Sequence, residues 1–236
     1  MVDKQPMVDK QPDPSEVDAP FAPEVGVGPW EGKWPTDDHL DPELLAAGDR
    51  RNVVDEFRYW KLEAIVAELD KRRHNFHIAI ENWHHDFNIG SVVRTANAMG
   101  AKAVHIVGRR RWNRRGAMVT DRYQHIEHHP SVADFHQFAT HSGLAVIGID
   151  NLPGSVALET FDLPQDCILL FGQESVGITA EAAASCEAIL SIAQFGSTRS
   201  MNAGAAAAIA MHAWVRRHVF DQRPTGIDPQ PTESGQ

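Results

Sequence analysis

Five short apolar runs, FHIAIE (76–81), AVHIV (103–107), LAVIGI (144–149), CILLF (167–171) and ILSIA (189–193), alternate with stretches of helical periodicity or helix-forming composition. Near-continuous apolar runs of this length are the mark of strands buried on both faces, as in parallel sheets. Alternation with helices predicts an α/β fold, a mainly parallel sheet with helices on both faces. The first unit reads as strand 76–81, polar loop 83–87, helix 88–99 and strand 103–107, a βαβ crossover. Asn88 can cap that helix and Gly100 ends it. A further helix spans 132–141, residues 152–163 read as irregular, and Thr179 can cap a helix that follows it.

The last strand leads into QFGSTRSMN (194–202) and then an alanine-rich stretch with Ile209, Met211 and Trp214. A loop rich in donors and acceptors running into a small-residue helix allows another backbone or a ligand to approach closely. In parallel sheets ligands bind beyond the carboxyl ends of the strands. Loops 172–177 and 194–202 both follow strand ends and are placed to face one cleft.

The ends of the chain differ from its middle. Residues 1–49 hold 12 Asp/Glu against 3 Lys, and residues 221–236 hold 3 acids against 1 Arg, so the net charge of −10 belongs to the ends. Residues 50–220 carry 17 acids and 18 bases, which leaves a polyanion-binding core open. The chain begins with MVDKQP written twice, too short a copy for a structural repeat. Residues 1–49, acidic and Pro-rich with Trp30 and Trp34 as anchors, read as a disordered or loosely draped arm, and residues 221–236 as a disordered tail. Between them, Val53, Val54, Phe57, Trp60, Leu62, Ile65, Val66 and Leu69 recur at helical spacing, predicting an amphipathic helix through Lys71 within a 50–75 segment, ahead of a domain over 76–220. Its basic exit, with Arg72 and Arg73, reads either as charge complementing the helix dipole or as RNA contact.

The densest positive charge is RRRWNRR: Arg109, Arg110, Arg111, Arg114 and Arg115 around Trp112. Such a loop can neutralise phosphates while the indole stacks on a base, although a solvated charge run is the bland alternative. His125, His128 and His129 follow, read as surface or RNA-facing; no persuasive metal set accompanies them, and no metal is expected. Cys167 and Cys186 read as buried free thiols of a cytosolic protein. No apolar run reaches the roughly 18 residues of a membrane span, and no secretory signal is read at the start. A dinucleotide-binding G-x-G-x-x-G after the first strand, a Walker A lysine motif and a G-x-S-x-G elbow are all absent. The residues left to carry chemistry are Asn88, Arg94, Glu174, Ser200 and Asn202. Four of them have a plain structural alternative: Asn88 and Ser200 as helix-end caps, Arg94 and Glu174 as an ion pair.

Three segments together resemble one family. NIGSVVRTANAMGA (88–101), LLFGQESVGIT (169–179) and STRSMNAGAAAAIAMHAW (197–214) are similar, in order and spacing, to the three motifs of the SpoU/TrmH family of RNA ribose 2′-O-methyltransferases in the SPOUT superfamily, with Met201 where a Leu is usual. The resemblance covers about residues 76–217 and leaves the arm and the arginine loop outside it. It implies a deep C-terminal trefoil knot, a homodimer in the cytoplasm, and S-adenosylmethionine held by Leu170, Phe171, Gly172, Gly177, Ile192, Gln194, Ser200, Met201 and Ala203. It implies further that Arg94 acts on the ribose 2′-hydroxyl and its phosphate, that Asn88, Ser200 and Asn202 position it, and that Glu174 ties down the second-motif loop. Its implied substrate is a tRNA or rRNA; the alternative is a catalytically silent RNA-binding dimer that keeps the knot.

Overall fold

The computed structural model describes residues 26–83, 88–173 and 176–223. The chain divides into two compact units, one ending at Lys61 and one beginning at Leu62. The duplicated MVDKQP, the first 25 residues and the tail from 224 lie outside the described residues.

In the first unit, residues 26–49 carry ordered structure rather than a loose arm. Asp41 caps helix α1 (Pro42–Ala47), accepting from the Glu43 and Leu44 amides at 2.9 and 3.4 Å, with Pro42 at its first position. The unit is organised by Asp49, whose side chain is fully buried. One carboxylate oxygen accepts the Arg51 amide at 3.0 Å and its Nε at 2.8 Å; the other accepts Arg51 Nη2 at 2.6 Å and the Tyr59 amide at 2.9 Å. Val27 bridges to Asp49 and Leu40 to Trp60, and Trp30 meets Tyr59 edge-on at 5.5 Å.

This network corrects the long helix expected over 53–71. Residues 55–57 form a single 3₁₀ turn, Tyr59 takes a left-handed φ of 62°, and only Leu62–Asp70 is α-helical (α2). The periodicity is present, but the Tyr59 amide and the loop around Arg51 are bound to one buried carboxylate, and a helix cannot satisfy both.

The second unit is a seven-stranded, wholly parallel sheet of β1 (His77–Asn82), β2 (Val104–Gly108), β3 (Ile126–His129), β4 (Ala145–Ile149), β5 (Val156–Ala157), β6 (Cys167–Phe171) and β7 (Ala188–Ser191), in the order β3-β2-β1-β6-β4-β7-β5. The five apolar runs all become strands; β3 (IEHH) and the short β5 carry no comparable apolar signal. One face packs Ile78, Ile80, Ile106, Leu169 and Phe171 against α3 (Ile89–Ala98) and α6 (Ala203–His218), whose Ala207, Ala210, Met211 and Trp214 are buried. The other packs Ala79, Val107, Ile168 and Leu170 against Phe135 and Ala139 of α4 (Val132–Ser142) and Ala182 of α5 (Ala180–Ala184). Helices therefore cover both faces, as the strand composition requires. Among the described residues no helix is long and apolar enough to cross a membrane.

On the α4 side the sheet buries polar groups as well. His77 Nδ1 lies 2.9 Å from His105 Nε2, and His105 Nδ1 lies 2.9 Å from His129 Nε2, a row across β1, β2 and β3. Burial pushes His105 down to about 3, with His77 and His129 adding to it, and pushes His77 down to about 4. His129 is thus an interior residue, not a surface one: two positions after Glu127 on a strand, it shares the inward face. Cys167 and Cys186 are free; burial raises their thiols to about 12 and about 11, so both stay protonated.

Asp49 sets a test of the first unit. Burial works to raise its carboxyl, but the Arg51 hydrogen bonds and the Arg51 and Tyr59 amides outweigh it and hold it at about 2. A folded value below the ordinary 3.8 means the stabilisation is complete above pH 3.8 and is lost as pH falls from there to about 2. The difference corresponds to about 2 kcal/mol. Asp49→Asn at pH 7 is expected to lose a similar amount, read as a ~10-fold or greater drop in amide-exchange protection across residues 26–61, while the sheet is unaffected. Unchanged protection would remove Asp49 from its central place.

Candidate active site

The carboxyl ends of β6, β4 and β7 surround one cavity of about 290 Å³. Each wall is built by a local necessity. Beyond β6 the chain reverses at once: Gln173 and Gly177 exchange backbone hydrogen bonds of 3.1 and 2.8 Å. A side chain on Gly172 would overlap the Gly177 carbonyl and the Ile178 nitrogen, so only glycine permits the turn. Gly177 takes a φ of 70°, and a side chain there would strike the Asp150 carboxylate. That carboxylate, just past β4, accepts the Ile178 amide at 2.7 Å and the Asn151 amide at 2.7 Å.

A second carboxylate holds the same turn from beneath. Glu81 on β1 is fully buried and accepts the Thr179 hydroxyl at 2.7 Å, the Thr179 amide at 2.8 Å and the Trp83 indole at 2.7 Å. With three donors on its two oxygens, its burial is matched by hydrogen bonds. Thr179 also caps α5 through Ala182, as the sequence suggests. Neither Glu81 nor Asp150 was among the sequence candidates. An acid at the end of an otherwise apolar strand run, FHIAIE and LAVIGID, was the available signal.

The third wall is the loop before α6. Asn202 caps α6, accepting the Gly204 and Ala205 amides at 2.9 and 3.3 Å, and its Nδ2 donates to Asn88 Oδ1 at 2.9 Å. The expected role of Asn88 as side-chain cap of α3 is therefore corrected. Its backbone is already helical and its side chain makes no cap bond, reaching instead across 114 residues to Asn202. The α3 and α6 amino ends meet there; a side-chain carbon added at Gly204 would come within 3.5 Å of Ser91 Cβ.

Of the residues expected around a cofactor, Phe171, Gly172, Gly177, Ile192, Gln194, Ser200, Met201 and Ala203 all line this cavity. Leu170 does not. Strand alternation turns it to the opposite face, into the core beside Phe135 and Ile168. The cavity also takes in Ile149, Asp150, Asn151 and Leu152 past β4, Gln173 and Val176 of the turn, and Arg199 and Ala206. The same strand-end rule, applied to β4, would have found that wall. Arg94 is exposed on α3 and does not line the cavity; it makes no hydrogen bond or ion pair with the described residues. Glu174 lies outside the described residues, and so does any ion pair it makes.

The arginine loop is anchored by its backbone. Asn82 Nδ2 donates to the Arg109 and Arg111 carbonyls at 2.6 and 3.0 Å, and Gly90 in the first turn of α3 packs on Gly116 and Ala117 so closely that a side chain would not fit. Arg109, Arg110, Arg111, Arg114 and Arg115 are left exposed. Trp112 is half-buried against the core, with the Arg114 guanidinium 5.5 Å from its ring centre, so its stacking partner in this structure is an arginine. Arg72 is half-exposed beside Glu68. Arg73 is not available to RNA. Its side chain is 2% exposed and donates to Asp70, to Gln124 at 2.7 Å and to the Tyr123 carbonyl at 2.6 Å, a structural role.

The family model described as the SpoU rRNA Methylase family matches residues 75–212. The tRNA (guanosine(18)-2'-O)-methyltransferase of Escherichia coli K12 is 25% identical over 151 residues, 63% of this chain and 66% of that protein. Among solved structures, an AdoMet-bound rRNA methyltransferase from Sinorhizobium meliloti aligns at a TM-score of 0.56 and 25% identity over 64% of this chain and 60% of that one. The A. aeolicus TrmH/SpoU tRNA modifying enzyme aligns at 0.59 and 20% identity over 70% and 87%, a likeness of fold. The chain thus spans just under two thirds of the E. coli relative. With the strand order, the glycine turn and the Asn88–Asn202 tie in place across the matched residues, the chain belongs to the SpoU rRNA methylase family.

Proposed function

We propose that this protein transfers a methyl group from S-adenosylmethionine to a ribose 2′-hydroxyl of a structured RNA, a tRNA or an rRNA. The observation that carries this reading is the convergence of all three motif segments at one place: Phe171, Gly172, Gln173, Val176 and Gly177 of the second segment and Arg199, Ser200, Met201 and Ala203 of the third line the cavity, and Asn88 of the first segment is bonded to Asn202 of the third. The cofactor fits what lines that cavity. Apolar Ile149, Phe171, Ile192 and Met201 stand beside polar Asp150, Asn151, Gln194 and Ser200 in its lining, a mix suited to an adenosyl group with a charged amino-acid end. S-adenosylmethionine, when bound, supplies an electrophilic methyl group. The methyl carbon would pass to the ribose oxygen with loss of its bond to sulfur, leaving S-adenosylhomocysteine, and the hydroxyl proton would go to solvent; residues lining the cavity, among them Gly172, Ile192, Gln194 and Met201, would hold the cofactor.

The chain's own residues then have positioning and charge to supply. A guanidinium offers only donors and no acceptor, so Arg94 has no lone pair with which to take the hydroxyl proton. It acts as a clamp on the RNA phosphate and on the charge that develops at the 2′-oxygen, not as a base. Asn88 and Asn202 hold the amino ends of α3 and α6 together and so fix the helix that carries Arg94. Ser200, exposed at the rim, and Glu174 complete the loop set in this reading. Methyl transfer demands in-line placement above all, so rigid support of this kind can carry much of the rate. The exposed Arg109, Arg110, Arg111, Arg114 and Arg115, next to α3, provide phosphate contacts.

The reading includes a deep trefoil knot and a cytoplasmic homodimer. For the knot, the support is that β6 enters between β1 and β4 while α6 returns against α3. For the homodimer, it is that Arg94 lies outside its own chain's cavity while Phe195 and Val176 near the rim are 97% and 62% exposed, as a site completed by a second copy would have them. Nothing observed favours the silent RNA-binding dimer.

Two variants test this reading. Arg94→Ala is expected to cut methyl transfer to tRNA or rRNA transcripts by about 10²–10³-fold, the size of a lost transition-state charge contact, while S-adenosylmethionine binding by calorimetry stays within a few-fold. Wild-type turnover by folded Arg94→Ala protein would sink the assignment of that residue. Gly172→Ala is expected to do the opposite first, weakening cofactor binding by ~10-fold or more because the turn must shift; unaltered affinity would move the cofactor elsewhere. Mapping 2′-O-methyl sites in cellular RNA with and without the gene names the substrate.

A further inference from the structure

The interior face of the sheet under α4 brings together residues that belong to no part of the methyl-transfer reading. Parallel register sets His105 of β2 beside Glu127 of β3, and His129 is two residues further along β3 on the same face. His105 Nδ1 is 2.9 Å from His129 Nε2 and 3.6 Å from Glu127 Oε2, and these three ligand atoms lie within 4.8 Å of one another. His105 and His129 are buried, whereas the Glu127 side chain is 47% exposed and opens the group to solvent.

We propose that His105, Glu127 and His129 form a binding site for a divalent transition-metal ion, zinc foremost. Two imidazoles and one carboxylate are a zinc ligand set that leaves a fourth position for water. Tetrahedral zinc with ligand bonds of about 2.0–2.1 Å requires its ligand atoms to stand about 3.3 Å apart. The two nitrogens need to open by only a few tenths of an ångström and the carboxylate oxygen to close by as little on His105 Nδ1, while an exposed glutamate side chain is free to swing the remaining distance toward His129. The second layer is in place too. The other ring nitrogen of His105, Nε2, is 2.9 Å from His77 Nδ1, so a metal on Nδ1 leaves an Nε2–H that donates to His77, the outer hydrogen bond that fixes the ring of a metal-bound histidine. Phe135 and Phe138 pack on these rings and limit their movement. An ion here would clamp the edge strand β3 to β2, with β1 standing between that pair and β6, where Gly172 turns, and the site stands independently of any reaction there.

The test uses the full-length protein, stripped with a chelator and titrated with zinc chloride by calorimetry, and with cobalt(II) by absorption. Expected are one strong site, a tetrahedral cobalt spectrum, and a zinc-dependent rise in melting temperature. Glu127→Gln, a surface change that leaves the core untouched, is expected to weaken zinc binding at least tenfold and to reduce the thermal shift; His129→Ala is expected to abolish both. His128→Ala, whose side chain points to the other face of β3, keeps zinc affinity within a few-fold. Absence of strong zinc binding, or binding unaltered in Glu127→Gln, would overturn the site and leave the three histidines as a proton-sharing row.

Discussion

β6 pairs with β1 along one side and with β4 along the other, and every functional feature of the second unit depends on that placement. The backbone hydrogen bonds of a central parallel strand can be made only if the chain crosses over, so β6 brings the turn at Gly172 to the same end of the sheet as Asn88 and Asp150. The strand is buried on both sides and its CILLF sequence is apolar throughout, so chemistry falls to the residues just beyond its end. The glycine at 172 follows from this crowding: the turn doubles back so tightly that its own carbonyl occupies the space a side chain would need.

Two carboxylates, one of them fully buried, then convert a tight turn into a rigid one. Glu81 holds Thr179 from β1, and Asp150 holds the Ile178 amide from β4, so the turn after β6 is braced by both of its neighbours. Asn202 does the same for the opposite wall, capping α6 and bonding Asn88 with one side chain. A cavity walled this way is shaped before any ligand arrives, which suits a reaction that gains its rate from placement.

The strands were legible because burial on both faces leaves an apolar run that helices and loops do not imitate. The exceptions are instructive. IEHH hides β3, since the two residues it turns to the α4 side are a half-exposed acid and a histidine paired with His105 of β2. The long helix expected over 53–71 fails because Asp49 captures the Tyr59 amide and Arg51, a contact that periodicity cannot register. Arg73 looked like part of a basic patch and proves to be a buried bracket for the 123–124 segment. Leu170 was drawn toward the site by the motif around it, but strand alternation turns it into the core.

The amino-acid sequence by itself determined the α/β class, the parallel strands and the three motif segments, because burial pattern and the demand for glycine and capping residues are local properties written in the order of residues. Tertiary structure alone decided which segments meet: the Asn88–Asn202 bond, the two bracing carboxylates and the His105–Glu127–His129 group. Each of these joins residues from separate elements, and their distances arise only when strand order and register bring them together.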